Sequence, residues 1–94
     1  MGNGRLQGKT ALVTGSGQGI GEGIAKVFAS EGAGVVVATR TAASGKTTVD
    51  DITAAGGLAI LVPTDVQHQG DIDNAIDVTI KTYGKLDIMV HNAA

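Results

Sequence analysis

The stretch Thr14-Gly15-Ser16-Gly17-Gln18-Gly19-Ile20-Gly21 joins an apolar, β-branched run directly to an amphipathic one through a turn crowded with glycine. Before it, Thr10-Ala11-Leu12-Val13-Thr14 has the make-up of a short strand buried on both faces, as a covered parallel sheet requires. After it, Ile20, Ile24, Val27 and Phe28 fall at i, i+4, i+7 and i+8 and mark one stripe of a helix that Gly32 ends. A helix placed there aims its first N–H groups, and the positive end of its dipole, over the turn, where an anion fits. Glycine serves such a turn because a pyrophosphate approaches the backbone closely and a tight strand-to-helix reversal demands dihedrals that a Cβ obstructs.

The strict G-x-G-x-x-G spacing fails in every register, whereas T-G-x-x-x-G-x-G fits through Thr14, Gly15, Gly19 and Gly21. A glycine pattern by itself also describes a flexible loop, so the rest of the chain has to supply the context. Within the turn the candidate contacts are Gly15, Ser16, Gln18, Gly19, Ile20 and Gly21.

That context is regular. Val35-Val36-Val37-Ala38-Thr39 is a second buried strand, and the Thr-, Ala-, Ser- and Gly-rich residues 40–45 read as a loop. A helix is expected over 46–55 with Val49, Ile52 and Ala55 on one face, ended by Gly56-Gly57. Leu58-Ala59-Ile60-Leu61-Val62 forms a third strand stopped by Pro63, the single proline. A third helix is expected over 70–82, with Ile72, Ile76, Thr79, Ile80 and Tyr83 facing one way and Gly84 as its stop. The run Leu86-Asp87-Ile88-Met89-Val90-His91 makes a fourth strand. Strands alternating with helices over short loops imply right-handed crossovers. The fold class is therefore α/β: a Rossmann-type doubly wound parallel sheet, four strands in order 3-2-1-4 with three helices, a partial fold whose first and fourth strands diverge beside the glycine turn.

Composition narrows the partner. The 94 residues make one domain, 1–94, which at this size buries only roughly 60–65% of its unfolded surface. With no Trp, one Phe and one Tyr, the core has to be built from Val, Ile, Leu and Ala, which suits a sheet packed against helices. A formal charge of −2 without a basic run argues against nucleic acid or an anionic membrane, leaving a small molecule as the expected partner. The absence of cysteine removes disulfides and thiolate chemistry and is compatible with a cytoplasmic location. His68 and His91 stand apart, without a second ligand at metal-site spacing, and read as a solvated loop histidine and a strand-end histidine. Residues 1–6 have neither a signal-peptide core nor a myristoylation pattern and read as a loose leader.

In a dinucleotide site the end of the second strand meets the adenosine ribose, and an acid there holds both hydroxyls of NAD. This chain has Thr39 and Arg40 instead, Arg40 standing 19 residues after Gly21. A guanidinium offers a fork of donors suited to a 2′-phosphate, which favours NADP over NAD. The alternative is a solvated Arg40 beside a neutral Thr39 that admits either coenzyme. Asp65 and Val66 follow the third strand and face the same crevice, where a carboxylate accepts from the adenine amine and the Val66 N–H reaches a ring nitrogen; a helix-leading aspartate fits Asp65 equally. Asn92, after the fourth strand, carries donor and acceptor together and suits either bracing of strand ends or contact with a ribose.

Taken together these positions resemble the short-chain dehydrogenase/reductase family. Thr14-Gly15-x-x-x-Gly19-Ile20-Gly21 looks like its cofactor motif, Asp65-Val66 like its adenine-contacting pair, and His91-Asn92-Ala93-Ala94 like its N-N-A-G signature, over nearly the whole chain from Leu6. Gln18 stands where the extended branch of the family has glycine, so the resemblance points to the reductase and alcohol-dehydrogenase branch. His91 replaces the first Asn of the signature and Ala94 its Gly, while Asn92 is retained. The resemblance implies hydride transfer between a nicotinamide and a carbonyl or alcohol, with a Tyr as general acid/base and a Lys lowering its pKa. Members run well over twice this length, and their Ser and Tyr-x-x-x-Lys lie beyond Ala94. Tyr83 has Asp87 four residues on, so it is assigned to core packing and no catalytic residue is named. The chain is thus expected to be the dinucleotide-binding half of an NADP-preferring oxidoreductase, inactive alone, from a whole protein compatible with a homo-oligomer. Two other expectations stand beside it: a non-catalytic nucleotide-binding module, and a scaffold that pairs its apolar fourth strand with another chain.

Overall fold

The computed structural model describes residues 4–15 and 19–91. Chain order is β1 (Thr10–Thr14), α1 (Gly19–Ser30), β2 (Gly34–Thr39), α2 (Ala42–Ala54), β3 (Leu58–Pro63), α3 (Gln69–Tyr83) and β4 (Ile88–Val90). All pairings are parallel and the sheet order is β3-β2-β1-β4, the doubly wound arrangement expected. Leu12 lies beside Val36 and Met89, and Val36 beside Ile60.

Every residue of β1 and β2 is buried, because helices cover both faces. Val13, Val35 and Val37 meet α1 and α2 through Ala25, Ala29 and Ile52. Leu12, Val36, Ala38 and Val62 face the other way onto α3 through Ala75, with Ile76, Val78 and Tyr83 at the margin. The Tyr83 ring lies so near Gly34 that a Cβ there would stand 2.9 Å from Cε1, which gives Tyr83 the core-packing role expected of it.

The helices depart from the sequence reading in how they are turned. On α1 the buried residues are Gly21, Ala25 and Ala29, while Ile20 is 75% and Val27 57% exposed; only Ile24 and Phe28 of the expected stripe touch the core. Small residues let the helix backbone settle close to the sheet, so the contact line runs through them and the larger side chains straddle it. The same holds on α3, where Ala75 and Thr79 are buried and Ile80 is largely exposed. Buried Thr79 is satisfied within its own helix, its hydroxyl donating to Ala75 O at 2.7 Å.

Helix α2 starts at Ala42, four residues before the expected start, so Gly45 is helical rather than part of a loop. A Cβ at Gly45 would stand 2.5 Å from Leu61 Cδ1 and 2.6 Å from Thr39 Cγ2, and the missing side chain is what lets α2 lie on β3. Its buried positions are Gly45, Thr48 and Ile52, whereas Ala55 is an exposed C-cap outside the stripe. Pro63 ends β3 from within the strand, tolerated because β3 is an edge.

Strand β4 is only three residues long, since Asp87 is occupied differently. Its carboxylate Oδ2 accepts from Thr10 N–H at 2.9 Å while its own N–H donates to Thr10 O at 3.0 Å, a reciprocal latch at the amino end of β1. The segment before β1 is also docked rather than loose. Leu6 packs on the core and donates its N–H to Glu31 O at 2.8 Å, and Arg5 N–H donates to Glu31 Oε1 at 3.2 Å; residues 1–3 lie outside the described residues.

The Thr10 hydrogen bond, with Lys85 3.3 Å away, holds the Asp87 carboxyl below the usual carboxylate value. A lowered folded-state pKa adds stability above that ordinary value, and the gain is lost as pH falls through the folded value. Thermal melts should therefore place the parent above Asp87→Asn at pH 7, with the gap closing as pH falls below the ordinary value of 3.8.

Candidate functional site

Parallel strands end together, so the loops after β1, β2, β3 and β4 share one edge of the sheet. Helices α1 and α3 pack on opposite faces, and the chain leaves β1 and β4 in a gap between them. The glycine turn sits at that gap. Gly15 has φ +63° and donates its N–H to Ala38 O at 2.8 Å, fixing the turn against β2. Gly19 has φ +65°, and a Cβ on it would meet no atom of the described residues within 4 Å. Both φ values favour glycine.

The first turn of α1 carries Glu22, a charge of the wrong sign for an anion site. It is drawn along the helix by Lys26, whose Nζ lies 2.6 Å from Glu22 Oε2 and 3.0 Å from Asp51 Oδ2 on α2. The positive end of α1 is thereby left facing the turn. Exposed Ile20 flanks this opening, and Gly21 turns inward to the sheet.

At the end of β2, Thr39 O accepts from Thr64 N–H at 2.9 Å and ties β2 to β3. Arg40, next in sequence, is exposed and has no ion-pair partner among the described residues. Beyond β3, Asp65 shapes its own loop: Oδ1 accepts from Gln67 N–H at 2.9 Å, and its N–H donates to Asp71 Oδ2 at 2.9 Å. Val66 N–H has no hydrogen-bond partner among the described residues. Asp65 thus leads α3 as a turn former and still presents a carboxylate at the crevice edge, where its Oδ2 lies 3.8 Å from His68 Nδ1. His68 is an exposed residue at the start of α3.

One contact went unread in the sequence. The Thr14 hydroxyl donates to Val90 O at 3.3 Å and stands 3.5 Å from His91 Nδ1, joining the carboxyl ends of β1 and β4 at the crevice. His91 thus braces the sheet end where the family signature has asparagine. The signal was the pairing of Thr14 with a polar residue just past the fourth strand, which only the strand register brings together.

The structure accordingly gathers Gly15, Gly19, Ile20, Gly21, Arg40, Asp65 and Val66 along one edge; Ser16, Gln18 and Asn92 lie outside the described residues. Tyr83 sits at the opposite edge, where burial pushes its phenol up. A hollow of about 700 Å3 also opens at that far edge, lined by Gly4, Gln7, Ala29, Gly32, Ile52 and Gly57, and shares no residue with the crevice. Among the described residues no three His, Cys, Asp or Glu side chains gather as a metal group, and no helix is long and apolar enough to cross a membrane.

A doubly wound parallel sheet with two left-handed glycines, Gly15 and Gly19, between its first strand and first helix at the switch point defines a dinucleotide-binding protein of the Rossmann type. A family model, short chain dehydrogenase, matches residues 9–94, and the chain belongs to that family. Secoisolariciresinol dehydrogenase of Forsythia intermedia is 43% identical over 89 residues, which cover 95% of this chain and 31% of that protein. A crystal structure of hydroxysteroid dehydrogenase from Escherichia coli superposes with a TM-score of 0.94 at 41% identity, covering 98% of this chain and 39% of the other. A 7 alpha-hydroxysteroid dehydrogenase complexed with NADH and 7-oxo glycochenodeoxycholic acid matches with a TM-score of 0.89 at 40% identity, over 93% of this chain and 34% of that one. The chain spans about a third of the length of the relatives it matches. The family binds nicotinamide dinucleotides.

Replacing Thr14 with Val keeps the shape and removes the hydroxyl that joins β1 to β4. Thr14→Val should cost about 1 kcal/mol, read as a melting temperature roughly 4–8 °C lower for a domain of this size.

Proposed function

We propose that this chain binds NADP(H) in preference to NAD(H) and forms the coenzyme-binding portion of a carbonyl reductase or alcohol dehydrogenase. Arg40 carries the reading. It stands at the carboxyl end of β2, exposed and without an ion-pair partner among the described residues, where an NAD site would place an acid. A guanidinium there binds a 2′-phosphate through a fork of donors, whereas the neutral Thr39 next to it repels neither coenzyme.

The two ends of the turn suit the diphosphate. Gly15 and Gly19 hold the left-handed backbone, the start of α1 supplies N–H groups, and no atom of the described residues occupies the space a Cβ would enter at Gly19. Ser16 and Gln18 complete the turn in sequence. Asp65 and Val66 N–H border the adenine, and Asn92, the next residue in sequence after His91, is assigned to the ribose. Bound there, the nicotinamide supplies or accepts hydride, and the residues of this chain hold and orient it. The relative that carries NADH with a 7-oxo steroid acid supports a ketone or the matching alcohol as the reacting group. Nothing in the crevice serves as a proton donor of the Tyr-x-x-x-Lys kind, because the only tyrosine is Tyr83.

Titration calorimetry with each coenzyme tests the assignment. NADPH should bind more tightly than NADH, and Arg40→Ala should weaken NADPH roughly tenfold, the worth of one charge-assisted contact, while leaving NADH unchanged. Equal losses for both coenzymes would remove the phosphate role. In a separate assay the 94 residues should show no carbonyl reduction with NADPH; measurable turnover would contradict the division of labour proposed here.

A further inference from the structure

Nearly every backbone donor of the loop between β3 and α3 is engaged. Thr64 N–H donates to Thr39 O at 2.9 Å, Gln67 N–H to Asp65 Oδ1 at 2.9 Å and His68 N–H to Asp65 O at 2.9 Å. Asp65 N–H donates across the loop to Asp71 Oδ2, also at 2.9 Å. Of the five consecutive N–H groups from 64 to 68, that of Val66 alone has no partner among the described residues. On a half-buried residue such a donor has to be met by water or by a ligand.

Asp71 is the third residue of α3, the place from which a capping-box side chain reaches back to the N–H of the capping residue. Here that N–H, on His68, is taken by Asp65 O, and the Asp71 carboxylate passes beyond it to Asp65 N–H. The acid of the first turn of α3 is thus spent on the loop after β3, and α3 is itself anchored on the sheet through Ala75.

We propose that Asp71 is a positioning residue for the adenine of the coenzyme: by holding Asp65 N–H it fixes the peptide units around Asp65, so that the Val66 N–H and the Asp65 carboxylate are presented to the crevice together. This rests on the coenzyme reading above and adds to it a residue that acts only through its neighbours.

Adenine carries an exocyclic amine and ring nitrogens, a donor beside acceptors. The loop offers the matching pair, one donor on Val66 and one acceptor on Asp65, whose Oδ1 is occupied by Gln67 N–H while its Oδ2 comes no nearer than 3.8 Å to His68 Nδ1. A charged acceptor such as Asp71 makes a stronger hydrogen bond than a neutral one. A donor and an acceptor fixed before binding lose little freedom when the ligand arrives. Released from Asp71, the Asp65 N–H becomes a second donor beside the first, and the peptide between them is free to turn.

Titration calorimetry with adenosine monophosphate, NADH and NADPH tests this. Asp71→Ala should weaken all three alike, roughly tenfold, and leave the ratio of NADPH to NADH as in the parent. Asp71→Asn keeps an oxygen for Asp65 N–H and should bind all three within about twofold of the parent. Both variants lose the negative charge that suits the start of α3, so a role confined to the helix would change binding in both or in neither. Circular dichroism checks that each is folded. A second measurement needs no variant: in 15N-resolved spectra of the parent, adenosine monophosphate should shift the Val66 amide proton downfield. Undiminished binding by Asp71→Ala, a loss in Asp71→Asn as large as in Asp71→Ala, or a Val66 amide left unmoved would each overturn the proposal while coenzyme binding by the parent stands. A parent that binds none of the three would remove the coenzyme reading and the proposal with it.

Discussion

The whole arrangement depends on β1 being hydrogen-bonded to a parallel strand on each side while both of its faces are buried. Parallel neighbours cannot be joined by hairpins, so each connection is a helix that crosses over and covers a face. Two helices on one face and one on the other follow from that, and so does the alignment of every strand end along a single edge. The crevice beside the glycine turn is a consequence of this topology. It needs no residue of its own to create it, only residues that leave it open.

Small side chains set how closely the layers around it approach. Gly21, Ala25 and Ala29 are the buried positions of α1, a Cβ at Gly45 on α2 would run into Leu61 and Thr39, and one at Gly34 on β2 would run into the Tyr83 ring. Layers this close bury Val and Ala side chains completely, as interiors of native density require. The same closeness displaces Ile20 and Val27 to the helix flank, where they meet solvent. Exposed isoleucine and valine on a helix otherwise shaped to pack are the mirror image of an alanine contact line.

Polar latches finish what burial begins. Asp87 closes the amino ends of β1 and β4, Thr14 with Val90 and His91 closes their carboxyl ends, and Lys26 joins α1 to α2. Exposed ion pairs contribute little on their own, so Lys26 sets orientation more than stability. It matters more that it draws Glu22 away from the end of α1 that faces the crevice.

How much of this was legible in the sequence follows the range of the forces involved. Element type and order, the doubly wound topology and the glycine turn are local or nearly so: apolar runs of strand length, glycine stops and helical periodicity specified them, and the residues of the crevice follow once parallel strands align their ends. What the tertiary structure alone decided is rotation and register. Whether α1 lies on Ile20 and Val27 or on Ala25 and Ala29 depends on how near the sheet can come, and hydrophobicity by itself points to the larger residues. Gly45 looked like a loop glycine because the side chain it must clear, Leu61, comes sixteen residues later on β3 and only the packed fold brings the two together. Asp87 and His91 read as strand residues, and only pairing across more than seventy residues turned them into a latch and a brace.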